Sequence, residues 1–136
     1  MNAVFLDTSG WLAALSPSEH GHLDCLSAYQ DAVNDGARLV TSTLVLGEMH
    51  ALMLRARGPR DAARFADAVL ASVSIAVVSP AVDLIATALD RWIHGFRGQP
   101  FSLCDAVSFE IMRRERIRDV LALDRHFKIA GFNILR

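Results

Sequence analysis

Four carboxylates carry the chemistry that this sequence offers: Asp7, Glu48, Asp105 and Asp124. Asp7 and Asp124 each follow directly on an apolar run, Ala3-Val4-Phe5-Leu6 in one case and Val120-Leu121-Ala122-Leu123 in the other. Glu48 falls early in a helical pattern that begins at Ser42-Thr43, and Asp105 falls in the first turn of a helix opened by Ser102. Acids gathered in one place repel one another, and an isolated buried carboxylate is costly, so such a cluster needs protons or a cation. Oxygen-only ligands suit Mg²⁺ or Mn²⁺. The histidines offer no zinc motif in competition, because His20 and His22 are too close in sequence to share a helix face. A divalent ion in such a site lowers the pKa of bound water and neutralises charge on a phosphoryl group, which is the chemistry of phosphodiester hydrolysis.

Each acid taken alone also has an ordinary structural role. Ser102-x-x-Asp105 has the spacing of a capping box, while Asp7 and Asp124 are placed to cap the helix and the turn that follow them. Glu48 fits a solvated helix face. Capping accounts for three positions one at a time; the four together make the acidic edge that a nuclease requires.

The elements that must position these acids alternate between strand and helix. Short apolar or β-branched runs at Ala3–Leu6, Arg38–Thr41, Ile75–Val78, Val120–Leu123 and Phe132–Leu135 read as strands. Helical patterns occupy Thr8–Leu15, His20–Asp35 with Gly36 as the stop, Thr43–Arg57 ended by Gly58-Pro59, and Arg60–Ala71. Ser79-Pro80 is expected to open a further helix, with the proline at its first position, that reaches Ile93. Gly95–Pro100 is a loop, and the helix from Ser102 ends among Arg113, Arg114 and Arg116, cations suited to its negative end. Asp124–Phe127 is a tight turn or short helix. Such alternation implies a parallel sheet covered on both faces, whose sites lie beyond the carboxyl ends of the strands. All four acids fall at that edge.

Length and composition limit the remaining possibilities. A chain of 136 residues buries one core and is too short for two, so a single domain spanning 1–136 is expected. Charged residues interrupt every apolar stretch before membrane-spanning length, and Asp7 follows the first short run too soon for a secretion signal, which points to the cytoplasm. Cys25 and Cys104 form no CxxC pair and no disulfide framework. The net charge of −1 leaves any RNA contact to local groups. Those cations are arginines apart from Lys128, and arginine forks suit phosphate. With 52% hydrophobic residues and a mean hydropathy of +0.28, the surplus of apolar side chains has to be buried inside or against a partner. The stretch Leu44, Leu46, Met49, Leu52, Met53 with Phe65 and Val69 is either core or a partner's seat. Trp11 and Trp92 are either base-stacking or buried.

The motifs Val4-Phe5-Leu6-Asp7-Thr8-Ser9, Leu46-Gly47-Glu48, Phe101-Ser102-Leu103-Cys104-Asp105-Ala106 and Leu123-Asp124-Arg125-His126-Phe127 resemble, in order and spacing, those of PIN-domain ribonucleases. Within that family the chain is most similar to VapC-type toxins of toxin–antitoxin pairs. The resemblance implies a three-layer α/β/α Rossmann-like domain around a parallel sheet and Mg²⁺-dependent endoribonuclease activity by metal-activated water. It also implies a homodimer and a small cognate antitoxin. Asp7, Glu48, Asp105 and Asp124 would then be the catalytic metal set, with Thr8 or Ser9 supporting the first carboxylate and Arg125 and His126 approaching RNA. Cys104 stands where the family often carries a small polar residue, so its expected role is that of a buried apolar filler.

Three other functions remain in view. A housekeeping PIN nuclease and a non-catalytic RNA- or protein-binding PIN-like module share the same motifs. A phosphotransferase of haloacid-dehalogenase type fits poorly, because it needs a second Asp two residues after the first, where this chain has Ser9, and no lysine precedes Lys128.

Overall fold

The structure is a computed structural model that describes residues 2–135. Five strands form one sheet: β1 (Ala3–Leu6), β2 (Arg38–Ser42), β3 (Ile75–Val78), β4 (Asp119–Leu121) and β5 (Asn133–Leu135). Their order is β3-β2-β1-β4-β5 and every pair is parallel. The helices are α1 (Thr8–Leu15), α2 (His22–Asn34), α3 (Thr43–Arg57), α4 (Pro59–Ala71), α5 (Val82–Ala88), α6 (Leu103–Arg114) and α7 (His126–Ile129). They flank the sheet as parallel strands require, since each crossover needs a covering element. This is the expected α/β architecture.

The central strand β1 is buried through Val4, Phe5 and Leu6, and the core extends into the aromatic side chains of Phe101, Phe109 and Phe127. Chain order runs outward from β1 to β2 on one side and to β4 on the other. The strand order therefore reverses between β1 and β4, where a crevice opens at the carboxyl edge. Asp7 stands at the end of β1 in that crevice, its backbone N–H donating to Leu121 O at 3.1 Å. Gly10, in the first turn of α1, lies so close to β4 that a Cβ there would run into the backbone of Leu121 and Ala122.

Several boundaries differ from the sequence expectation for local reasons. The fourth strand ends at Leu121 rather than Leu123, because the Leu123 and Asp124 N–H groups leave the ladder for Ser9 Oγ, at 2.9 and 3.4 Å. Pro80 is not the first helical residue. Ala81 is the extended cap and α5 starts at Val82. The same helix does not stay α-helical to Ile93: Leu89–His94 forms a π-helix, ended by Gly95, where a Cβ would collide with the Arg91 carbonyl. The second helix starts at His22, two residues later than expected, after Gly21 in a left-handed conformation.

The apolar surplus is largely consumed by the core. Met49 and Val69 are buried, Leu44, Leu46 and Phe65 pack against them, and Trp11 and Trp92 are both interior. Of the surrounding helices, α3 and α4 keep Leu54 and Leu70 exposed.

Candidate active site

The local sequence fixes Asp7 and Asp105 by means of the helices they help to cap. Asp7 is the N-cap of α1, its Oδ2 accepting from Ser9 N at 3.2 Å and from Ser9 Oγ at 2.6 Å. Asp105 and Ser102 form a reciprocal capping box on α6, with Asp105 Oδ2 accepting from Ser102 N at 3.1 Å. Asp124 Oδ1 accepts from His126 N at 2.9 Å in the turn that precedes α7. Glu48 caps nothing; its Oε1 accepts from Thr8 Oγ1 at 2.7 Å and from the Cys104 thiol at 3.3 Å.

Capping and ligation are thus not rival roles in this fold. The caps at Asp7 and Asp105 each engage one carboxylate oxygen, and the other oxygen keeps its lone pairs. Among the hydrogen bonds of the described residues, Asp7 Oδ1, Glu48 Oε2 and Asp105 Oδ1 take no part. Ser9 joins the two sides of the crevice, because its hydroxyl donates to Asp7 and accepts from the backbone beyond β4.

The electrostatics mark the set as unbalanced. Asp7 is only 5% exposed, and burial raises its carboxyl to about 7 even though two hydrogen bonds from Ser9 oppose the rise. The negative Asp105 and Glu48 push it the same way. Burial also pushes the Cys104 thiol well above its ordinary value, with Glu48, Asp7 and Asp105 adding to the effect, so it stays a protonated donor. His126 is inserted among the acids: its Nδ1 lies 3.1 Å from Asp105 Oδ2 and 3.2 Å from Asp124 Oδ2.

A divalent cation fits this donor set. Ligand atoms of Asp105, Asp124 and His126 lie within 4.8 Å of one another, and Asp7 stands within electrostatic reach of Glu48 and Asp105. Oxygen donors dominate, as a hard cation requires. A model of the PIN domain matches residues 4–133 of this sequence.

The chain belongs to the PIN-domain family.

That family is one of nucleases, and the likeness extends to whole proteins. The 23S rRNA-specific endonuclease VapC20 of Mycobacterium tuberculosis, in two strains, is 34% identical over 131 residues, which are 95% of each chain. The crystal structure of Mycobacterium tuberculosis VapC20, described as a sarcin–ricin loop cleaving toxin, matches with a TM-score of 0.87 and 31% identity over 98% of this chain and 99% of that one. FitAcB from Neisseria gonorrhoeae has a TM-score of 0.65 at 13% identity, covering 98% of this chain and 96% of that one, and shares the fold.

The PIN fold brings all four sequence-predicted acids to the crevice edge, together with Thr8 and Ser9. Thr8 serves Glu48 rather than Asp7, while Ser9 serves Asp7. Arg125 is exposed beside Asp124. His126, expected at an RNA phosphate or in packing, packs edge-on against Phe101 and also engages two of the acids. Cys104 is a half-buried donor to Glu48 rather than an apolar filler, and only its spacing one residue before Asp105 hinted at this. Sequence reasoning passed over Glu110, a fully buried carboxylate. Its spacing to Arg113 and Arg114 was the available signal.

Proposed function

We propose that this PIN domain is a Mg²⁺- or Mn²⁺-dependent endoribonuclease and the toxin of a toxin–antitoxin pair. The observation that carries this reading is the crevice at the strand-order reversal, where four acids gather and one of them is held at about 7 by burial and its neighbours. Asp7, Glu48, Asp105 and Asp124 would hold the ion. When bound, the ion supplies positive charge against the phosphoryl oxygens and acidifies a water for in-line attack. Thr8 and Cys104 keep Glu48 turned by its Oε1, Ser9 keeps Asp7 turned by its Oδ2, and His126 steadies Asp105. Arg125 is exposed at the rim, where a guanidinium fork meets a phosphate.

The similarity to VapC20 supports a folded ribosomal RNA loop as the substrate class. Such loops present unstacked bases and a bent backbone to a protein. A homodimer and a small antitoxin acting in the cytoplasm complete the reading, supported by exposed Leu54, Leu70, Val82 and Leu89. No helix among the described residues is long and apolar enough to cross a membrane. The test is incubation of the purified chain with a sarcin–ricin loop RNA in Mg²⁺, Mn²⁺ or excess EDTA. Cleavage with either ion, none in EDTA, and products bearing 5′-phosphate and 3′-hydroxyl are expected. Equal cleavage in EDTA, or cyclic phosphate ends, would overturn it.

A further inference from the structure

The edge of the sheet opposite the acids carries an arrangement that the proposed chemistry does not use. Glu110 on α6 is fully buried, yet it is ionised: burial pushes its carboxyl up, but hydrogen bonds from Arg113, Arg114 and Trp92 outweigh this and hold it at about 2. Arg113 and Arg114 reach it at 2.8 and 2.9 Å, and Arg91 reaches it from the π-helix at 3.2 Å. The π turn places Arg91 and Trp92, neighbours in sequence, on the same carboxylate. A buried ion pair is expensive, and replacing the whole pair by packed apolar residues is commonly neutral or stabilising. What this arrangement produces is a fixed row of guanidinium groups, each 39–46% exposed.

Just past the end of α6, further arginines lie at the amino ends of the strands. There a polar cavity of about 520 Å³ is lined by Arg38, Glu115, Arg116, Arg118, Asp119 and Asn133, among others. Its acids are already engaged, Glu115 by Arg38 at 2.8 Å and Asp119 by Asn133 at 2.9 Å. Arg116 and Arg118 are exposed and form no ion pair among the described residues. A chain with a net charge of −1 thus places three arginines, Arg38, Arg116 and Arg118, around this cavity, just beyond the arginines that hold Glu110 at the end of α6.

We infer that this edge is a second RNA-binding surface, which grips the sugar-phosphate backbone of a folded substrate at a distance from the cut. The naming of RNA rests on the nuclease reading above. Asp105 and Arg114 lie at the two ends of α6, nine residues or about 14 Å apart along the helix. An RNA that also reaches Arg116 and Arg118 must extend past the end of that helix, which a stem-loop does and one or two nucleotides at the acids do not. Arginine rather than lysine suits such a surface, because its planar fork pairs with phosphate oxygens through two hydrogen bonds.

The test uses the double variant Arg116→Asn, Arg118→Gln, which spares Glu110 and its partners. Asparagine suits position 116, whose φ is +57°. Binding of a fluorescent 20-nucleotide stem-loop RNA is followed by anisotropy in EDTA across a salt series. Removing two phosphate contacts should weaken binding about 10- to 30-fold near physiological salt and lower the slope of log K against log salt by about 1.4–1.8. The control Arg60→Gln, Arg64→Gln, on exposed α4 positions, changes the charge equally and should leave the slope in place. With Mg²⁺ the double variant should cut a short single strand as the parent does, and the stem-loop with a raised KM alone. An unchanged slope, an equal loss in the α4 control, or no stem-loop binding by the parent would overturn the inference. If the parent binds the stem-loop with the expected salt slope but cuts no RNA, the nuclease reading falls and the surface stands.

Discussion

Replacing Asp7 by asparagine should stabilise the metal-free protein, and by an amount that depends on pH. The unfolded chain loses the Asp7 proton near the ordinary value of 3.8, whereas the folded, metal-free chain keeps it to about 7. Folding therefore takes up a proton between these limits, and stability falls as pH rises from about 4 to about 7 and then levels off. The size of the effect is about 4 kcal/mol at pH 8 and about 1.6 kcal/mol at pH 5, at 1.36 kcal/mol for each pH unit. Asparagine does not titrate, and its side-chain oxygen can still accept from Ser9 N and Ser9 Oγ, so the cap survives. Urea unfolding in EDTA at pH 5 and pH 8 measures the difference. Asp7→Asn should be the more stable protein at both, with a gap about 2–3 kcal/mol wider at pH 8. Added Mg²⁺ should stabilise the parent, more strongly at pH 8, and the variant hardly at all, as linkage requires for a ligand bound by the folded state alone. A gap that is the same at both pH values, or a variant less stable at pH 8, would refute the claim that burial and neighbouring acids burden this carboxyl.

Three further outcomes follow from the same geometry. Glu110→Gln should cost about 2 kcal/mol at pH 7, discounted from the ~3 kcal/mol its lowered pKa implies because the three arginines are half exposed; that stability is present above 4.5 and lost as pH falls through about 2, so acid denaturation curves of parent and variant should converge there. Ser9→Ala removes the donor to Asp7 and the acceptor for Leu123 N, and should cost about 1–3 kcal/mol in urea melts while weakening Mg²⁺ binding in calorimetric titration. Cys104→Ser should retain cleavage, since a hydroxyl donates to Glu48 at least as well as a thiol, whereas Cys104→Val should lower the metal affinity with little change in melting temperature.

The acids at strand ends were legible in the sequence because an apolar run that stops at Asp dictates both the strand and the place where it ends. Their capping bonds were legible for the same reason, as Ser102-x-x-Asp105 shows. Glu48 was placed by its position early in the helix after β2 and by motif, since a glutamate within a helix looks the same whether it faces water or other acids. Long-range contacts were hidden. Nothing local says that the fourth strand stops at Leu121 because a serine more than a hundred positions earlier takes its N–H groups, or that Trp92 and Glu110 share a hydrogen bond. The π-helix was likewise unreadable: two of its residues, Arg91 and Trp92, meet a carboxylate on another helix, and Gly95 ends it where a Cβ would meet the Arg91 carbonyl.

The double use of the cap positions bears on how such a protein could change over generations. An aspartate that terminates a helix is retained by folding even in a lineage that no longer cuts RNA, so the presence of a polar residue at positions 7 or 105 reports little about activity. Asparagine is an equally good cap and relieves the crowding at Asp7. A lineage released from binding metal should therefore drift from Asp to Asn at that position and gain stability on the way. Persistence of the acid against that gradient, rather than persistence of the cap, is the trace that catalysis leaves in a sequence of this kind.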